Sequence, residues 1–472
     1  MTGSTDHTGL DVGSYLAQQR WFAGKGRGWQ VSASTTIGRL REHAPGVSGV
    51  RVDVVQVTYD DGGTETYQLP LATYDAPASH LSHAFVGEES NADGSTLYVY
   101  DALHDKDSTG LWMRGIEAAD TVPGLAFHRE PALDQLPPGG PSIVVGVEQS
   151  NTSLIFGDSL IMKVFRKVSP GINPDIEMHS ALTAAGSEHI ATPVGWLEGS
   201  WSDPVAGDVT ASLAMSQLFL KGATDGWELA LTSVRDLYAE ADLHADEVGG
   251  DFAGEANRLG KATAEVHAVL AEALPTGRLE AKELTALTEG MRTRLDRAAA
   301  DVPELAPFSH SLRRAYDDVA GLDEPVDVQR IHGDFHLGQV MRTLQGWKLL
   351  DFEGEPARPL SERRALESPL KDVAGMLRSF DYAARALLVD HPGDAQRAYR
   401  ATEWAERNRT AFLDGYARAG GWDPRGRPVL LRAFETDKAV YEVLYEARNR
   451  PTWLHIPMAA IHRLAASEEQ TS

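Results

Sequence analysis

The residues between Ile331 and Pro356 constrain this chain more than any other stretch. They set Asp334 in a His-Gly-Asp turn, Gln339 shortly after it, and Asp351 directly behind the run Trp347-Lys348-Leu349-Leu350. Two short segments joined by a hairpin thus present an acid, a carboxamide and a second acid. That is the layout of a phosphoryl-transfer site, in which one carboxylate accepts the proton of an attacking hydroxyl. Hard oxygen donors then hold Mg²⁺ against nucleotide phosphates. Asp334 is the expected proton acceptor, and Gln339 and Asp351 are the expected metal ligands. A zinc reading of His332 and His336 fails, because Gly333 is a poor helix residue where a zinc protease carries its base, and no third ligand is evident. A purely structural aspartate turn leaves Gln339 and Asp351 unexplained.

The 472-residue length favours two or three domains. Lys+Arg 44 against Asp+Glu 68 gives a net charge of −24, which speaks against a nucleic-acid partner. The absence of cysteine excludes disulfides, a thiol nucleophile and thiolate metal sites. The N-terminal residues show no secretory pattern, and no apolar run approaches the ~18 residues needed to span a bilayer. A cytoplasmic protein with no membrane partner is expected.

Three stretches follow: residues 1–88, 89–220 and 221–472. In the first, an amphipathic segment from Val12 to Phe22 precedes a β-hairpin expected over Gly46 to Tyr74. In the second, Ile143–Val147, Leu154–Phe156 and Leu160–Phe165 read as strands. Lys163 lies within the last of them, where a lysine costs burial energy unless it is paired or contacts phosphate. With Asp334 and Asp351 downstream, it is the candidate phosphate-binding lysine, and Glu177 its candidate partner. The polar loop Gln149 to Ser153 is a weaker candidate phosphate cover, with Ser150, Thr152 and Ser153 as donors. The third stretch is mainly helical, with helices expected over Ala256–Leu274, Leu279–Asp301, Asp372–Val389, Arg397–Ala419 and Leu430–Arg448. Asp236, Glu240 and Glu247 are expected on one solvated helical face.

These motifs resemble the aminoglycoside phosphotransferase-like and choline-kinase-like families of the kinase superfold. Longer strings are more particular. Gln19-Arg20-Trp21-Phe22-Ala23-Gly24, Glu148-Gln149-Ser150-Asn151-Thr152-Ser153, Asp351-Phe352-Glu353-Gly354-Glu355-Pro356 and the segment from Asp372 to Phe380 look like those of actinobacterial maltokinases. The resemblance implies an α+β, bilobal, protein-kinase-like fold with an N-terminal cap subdomain and a mainly helical C-lobe. It also implies ATP and Mg²⁺ as cofactors and phosphorylation of maltose at its anomeric hydroxyl. Maltose 1-phosphate would then feed α-glucan (glycogen) synthesis, and trehalose synthase is the candidate protein partner. The nucleotide hinge would fall near Gln217 and Phe219.

On a helix from Phe434 to Arg448, Asp437, Lys438, Tyr441, Tyr445 and Arg448 cluster on one arc beside an apolar stripe. Forked polar groups beside aromatic rings suit a sugar; the plainer reading is an amphipathic helix with pairs such as Lys438 with Glu442. The resemblance, whose acceptor pocket lies in this region, favours sugar binding, and His332 and His336 are grouped with that pocket. The rival readings are a kinase for glucosamine or another amino sugar or aminoglycoside, and a non-catalytic scaffold. Cationic acceptors call for a strongly acidic pocket, whereas Lys438 and Arg448 suit a neutral sugar. The intact set of Lys163, Asp334, Gln339 and Asp351 argues against a scaffold.

Overall fold

The run Gly49–Tyr59 is apolar at positions of both parities, so as a strand it needs cover on both faces. In the computed structural model, which describes residues 10–91, 93–133, 135–147, 151–203, 207–240, 242–355, 358–391 and 393–466, it has that cover. The strands β1 (Trp29–Arg41), β2 (Gly49–Tyr59), β3 (Thr64–Tyr74), β4 (Phe85–Ser90) and β5 (Thr96–Asp101) form an antiparallel sheet in the order β1-β2-β3-β5-β4. Val55 and Val57 pack in one core with α1 (Val12–Gln18), Trp21 and Phe22. Val52 and Val54 point the other way, into a core shared with Trp112 and Ile116 of α2 (Lys106–Ala118).

That second core also contains the inner face of a seven-stranded sheet. Its members are β6 (Thr121–Val122), β7 (Leu125–Arg129), β8 (Ser142–Val147), β9 (Asn151–Phe156), β10 (Leu160–Phe165), β12 (Pro193–Asp203) and β13 (Gly207–Leu218), in the order β6-β7-β12-β13-β10-β9-β8. The short β11 (Lys167–Val168) follows β10 and pairs with β3, which stitches the two sheets together. With α3 (Pro174–Ala184) these elements make one compact unit, drawn from residues up to Thr183 and from Ala191 to Lys221.

The other unit, Ala184–Ile190 and Gly222–Ser472, is mainly helical. It contains α4 (Gly226–Ala239), α5 (Ala253–Ala273), α6 (Ala281–Asp301), α7 (Ser309–Ala320), the single turn α8 (Leu360–Arg363), α9 (Leu370–Ala386), α10 (Ala395–Gly420), α11 (Pro428–Asn449) and α12 (His455–Ala466). The five helices expected from apolar spacing correspond to α5, α6, α9, α10 and α11. The expected acidic face of Asp236, Glu240 and Glu247 does not form. The helix ends at Ala239, and the Glu247 carboxylate accepts the His244 backbone N–H at 2.8 Å, a local bond that competes with helix. Between α7 and α8 runs the expected hairpin, Val340–Thr343 against Gly346–Leu349. Among the described residues no helix is long and apolar enough to cross a membrane.

Candidate active site

In the helical unit the site begins with the His-Gly-Asp turn. Gly333 takes φ +84°, in the left-handed region where a side chain is strained. The turn is held from α9: Asp372 Oδ2 accepts the His332 N–H at 2.8 Å, and Oδ1 accepts the Gly333 N–H at 2.9 Å. His267 Nε2 donates to the same carboxylate at 3.1 Å. Burial works to raise the Asp372 carboxyl, but His267 and the turn amides outweigh it and hold the group below the ordinary carboxylate range. One turn along α9, Gly375 lets helix and turn meet, since a Cβ there would lie 2.6 Å from the Phe335 carbonyl oxygen. Ser379 Oγ, a further turn on, accepts the Leu337 N–H at 2.9 Å.

His332 corrects an expectation. Its ring is buried, 2% exposed, and Nε2–H donates to the Leu350 carbonyl at 2.7 Å while Nδ1 faces the Asp334 N–H at 3.4 Å. It is a strut between the Asp334 turn and the Asp351 segment, enclosed by Phe335 and Phe352, and has no face left for an acceptor. The Leu350 N–H in turn donates to the Gln339 carbonyl at 2.9 Å, so one residue's two peptide groups tie all three motif positions together. Asp351 takes φ +62°, a conformation uncommon outside glycine, asparagine and aspartate.

Asp334 Oδ1 lies 3.2 Å from Lys438 Nζ on α11. Burial acts to raise the Asp334 carboxyl, but the Lys438 ammonium, with His336 assisting, holds it below its ordinary value. On Lys438, burial opposes the charge and Asp334 more than restores it, so the ammonium is firmly held. Two recesses flank the pair, both lined by Asp334, Gly375, Lys438 and Tyr441. The smaller, about 290 Å³, adds Arg294, Glu355, Arg358, Phe434 and Asp437, and the larger, about 420 Å³, adds Trp227, His336, Tyr382, Glu442, Tyr445 and Trp453. His336 Nδ1 accepts the Gly338 N–H at 3.1 Å, and burial pulls its imidazole below the ordinary histidine value.

Of the α11 residues, Asp437 forms a two-pronged pair with Arg294 at 2.9 and 2.8 Å. The Tyr441 and Tyr445 rings stack with centroids 6.3 Å apart. Arg448 is a second correction: it pairs with Asp301 at 2.6 Å on the surface and lines neither recess. Ten residues beyond Lys438, it is displaced by about 15 Å along the helix axis. The alternative Lys438–Glu442 pair is absent as well, for Glu442 is bonded by Arg378 of α9 at 2.7 Å. Asp372 and Gly375 entered the sequence reading only as parts of a resembling string, and Arg294 and Tyr382 not at all. The Asp-x-x-Gly spacing at a helix start was the one available signal.

In the other unit, Lys163 sits in β10 opposite Ser153 of β9 and Met215 of β13. Its Nζ lies 3.8 Å from Oδ2 of the buried Asp175. Asp175 is thus a carboxylate partner of Lys163 that the sequence reading did not name, and Glu177, the expected partner, is half-buried on the same helix. Pro174 opens α3 and the Asn173 side chain accepts the Asp175 N–H at 2.8 Å, which sets Asp175 in the first turn. Thr152 and Ser153 are also corrected: they are buried strand residues of β9, not loop donors. Strand pairing with β10 begins already at Asn151, and Thr152 Oγ1 accepts from Arg166 Nε at 2.8 Å. Gln149 and Ser150 lie outside the described residues. Gln217 is half-buried in β13 opposite Ile161, and the Phe219 N–H is taken by the Ser159 carbonyl at 2.8 Å.

Residues 15–105 match the maltokinase N-terminal cap domain, and residues 252–430 match the phosphotransferase enzyme family. A glucosamine kinase from Streptacidiphilus jiangxiensis is 30% identical over 355 residues, covering 71% of this chain and 76% of that protein. A glucosamine kinase from Mycolicibacterium smegmatis is 27% identical over 378 residues, covering 76% and 91%. A solved glucosamine kinase in complex with glucosamine, ADP and inorganic phosphate shares the fold, with a TM-score of 0.66 at 23% identity over 90% of this chain and 95% of that one. The chain therefore belongs to the phosphotransferase enzyme family, as a member with a kinase-like fold and a maltokinase N-terminal cap domain.

Proposed function

We propose that this phosphotransferase uses ATP to phosphorylate maltose at its anomeric hydroxyl, giving maltose 1-phosphate for α-glucan synthesis. The observation that carries the acceptor choice is the charge balance around Asp334. Asp437 is matched by Arg294, Glu355 by Arg358, Glu442 by Arg378 and Glu446 by Arg450, each at 2.6–2.8 Å. With these four carboxylates paired, the exposed Glu362 is the one unmatched acid among the described residues lining the smaller recess. The pocket thus lacks the concentrated negative charge a cationic sugar calls for, and the stacked Tyr441 and Tyr445 offer an aromatic surface to the C–H faces of a neutral one. The cap match supports the same reading.

Asp334, kept ionised by Lys438, takes the proton of the attacking hydroxyl as its oxygen bonds to the γ-phosphorus of ATP. The bond from that phosphorus to the bridging oxygen breaks, and ADP leaves with the electron pair. Lys163, steadied by Asp175, balances phosphate charge. Gln339 and Asp351 fit Mg²⁺, since both offer hard oxygen donors on segments tied through Leu350; when bound, the metal neutralises charge on the nucleotide phosphates.

A glucosamine kinase is the second reading, favoured by the names of the relatives. Purified protein with ATP and Mg²⁺ is to be offered maltose, glucose, glucosamine and an aminoglycoside, with ADP release and the phosphorylated position measured. Turnover of maltose, with phosphate on the anomeric oxygen, is expected. Turnover of glucosamine without maltose would replace the first reading by the second.

A further inference from the structure

We propose that Glu442 is a specificity-determining residue, whose free carboxylate oxygen accepts a hydrogen bond from a hydroxyl of the acceptor sugar beside Asp334. The assignment rests on the sugar-kinase reading above and adds to it a residue that no motif singled out.

Glu442 lies on α11 one turn beyond Lys438 and lines the larger recess with Asp334, His336, Tyr441 and Tyr445. Its two oxygens are not equivalent. Both Arg378 donors converge on Oε2, Nε at 3.0 Å and an Nη at 2.7 Å, and no protein donor among the described residues reaches Oε1. The neighbouring Glu446 differs: Tyr382 and Arg450 occupy both of its oxygens. Glu442 is only 8% exposed, yet Oε1 is not among the fully enclosed unpartnered oxygens, so it stays accessible from the recess that the residue lines. What it lacks is a donor arriving from the recess, and a sugar hydroxyl supplies one.

The surroundings show why the oxygen stays in place. Arg378 is fully buried and also bonds Asp381 at 2.6 Å, so the guanidinium is clamped from two sides and fixes the Glu442 rotamer. Burial raises the Glu442 carboxyl above its ordinary value in spite of Arg378 and Lys438. A hydroxyl donor stabilises the ionised form, so acceptor binding and ionisation of Glu442 favour each other.

The test compares wild type, Glu442→Gln and Glu442→Ala in steady-state kinetics, varying the sugar and ATP separately, with thermal melting of each protein. Asp381 still neutralises Arg378 in both variants, and the Gln variant keeps the side-chain shape. For Glu442→Ala we expect a KM for the sugar roughly ten- to hundred-fold higher, the loss of one charge-assisted hydrogen bond, with the KM for ATP unchanged. Glu442→Gln, which still offers an acceptor oxygen, should fall between. Equal changes in both KM values and kcat, tracking a fall in melting temperature, would show a structural role and overturn the assignment. So would an unchanged sugar KM in Glu442→Ala. The comparison uses whichever sugar the wild type turns over, so a wrong acceptor leaves this test intact. A wild type inert toward every sugar would overturn both readings.

Discussion

At Asp334 burial and a neighbouring cation act in opposite directions, and the cation wins. The carboxylate therefore stays ionised below the ordinary aspartate value, and activity near neutral pH is not limited by its protonation. Asp334→Asn should lose about 10²–10⁴-fold in kcat, the usual size of a general-base contribution, with the KM for ATP little changed. Near-normal turnover in that variant would remove Asp334 from the role. Lys438→Met provides a sign test. Without the ammonium only the weaker effects of His336 and His332 oppose burial, so the Asp334 carboxyl should rise. The acid limb of kcat/KM should then move to higher pH. An acid limb that stays at the wild-type position would mean that the titrating base is another group.

Helix α9 shows how an element, rather than a residue, builds the turn. Asp372, Gly375 and Ser379 lie at i, i+3 and i+7, on one face, and each meets a successive part of the segment from His332 to Leu337. Gly375→Ala would force a methyl against the Phe335 carbonyl, an overpacking cost of about 1–3 kcal/mol. Denaturant melting should show that loss, and kcat should fall, because the displaced turn carries Asp334. Unchanged kcat alongside lowered stability would mean that the turn tolerates the shift. The elements themselves were legible in sequence because their signals are local: apolar spacing marked α5, α6, α9, α10 and α11, and strand patterns marked β2, β3 and β10. The hairpin beside Asp334, Gln339 and Asp351 was legible for the same reason, its two strands standing only a turn apart. Roles that depend on distant partners were not. His332 was grouped with the acceptor because its bond to Leu350 follows from the fold, and Asp372 was passed over because the amides it holds are forty residues away. Thr152 and Ser153 read as loop because polar strand residues resemble loop residues until their cross-strand partners are known.

At the scale of the whole molecule, charge sets the pH range of stability. The net charge of −24 means that mild acidification relieves self-repulsion, so stability should not fall between pH 7 and 5. The opposing effect sits inside the helical unit, where Asp381 of α9 and Glu435 of α11 are ringed by Arg378, Arg385, Arg409 of α10 and Arg463 of α12. Burial acts to raise both carboxyls, but the guanidinium groups hold Asp381 far below the carboxylate range and Glu435 at about 2. A depressed folded value means stability that is present above the ordinary glutamate value of 4.5 and is lost as pH falls toward about 2. Acid unfolding followed by far-UV circular dichroism should therefore begin only below about pH 4.5. Arg409→Met removes the two-pronged partner of Glu435, whose bonds measure 2.8 and 3.0 Å, and leaves Arg463 as its one direct ion-pair partner among the described residues. Breaking a buried pair from one side costs about 3–5 kcal/mol, and the Glu435 carboxyl must rise toward its ordinary value. The acid midpoint of that variant should move to higher pH and its neutral-pH stability should fall. An unmoved midpoint would show that the ring of arginines does not govern acid stability, leaving the carboxylates outside it to account for the transition.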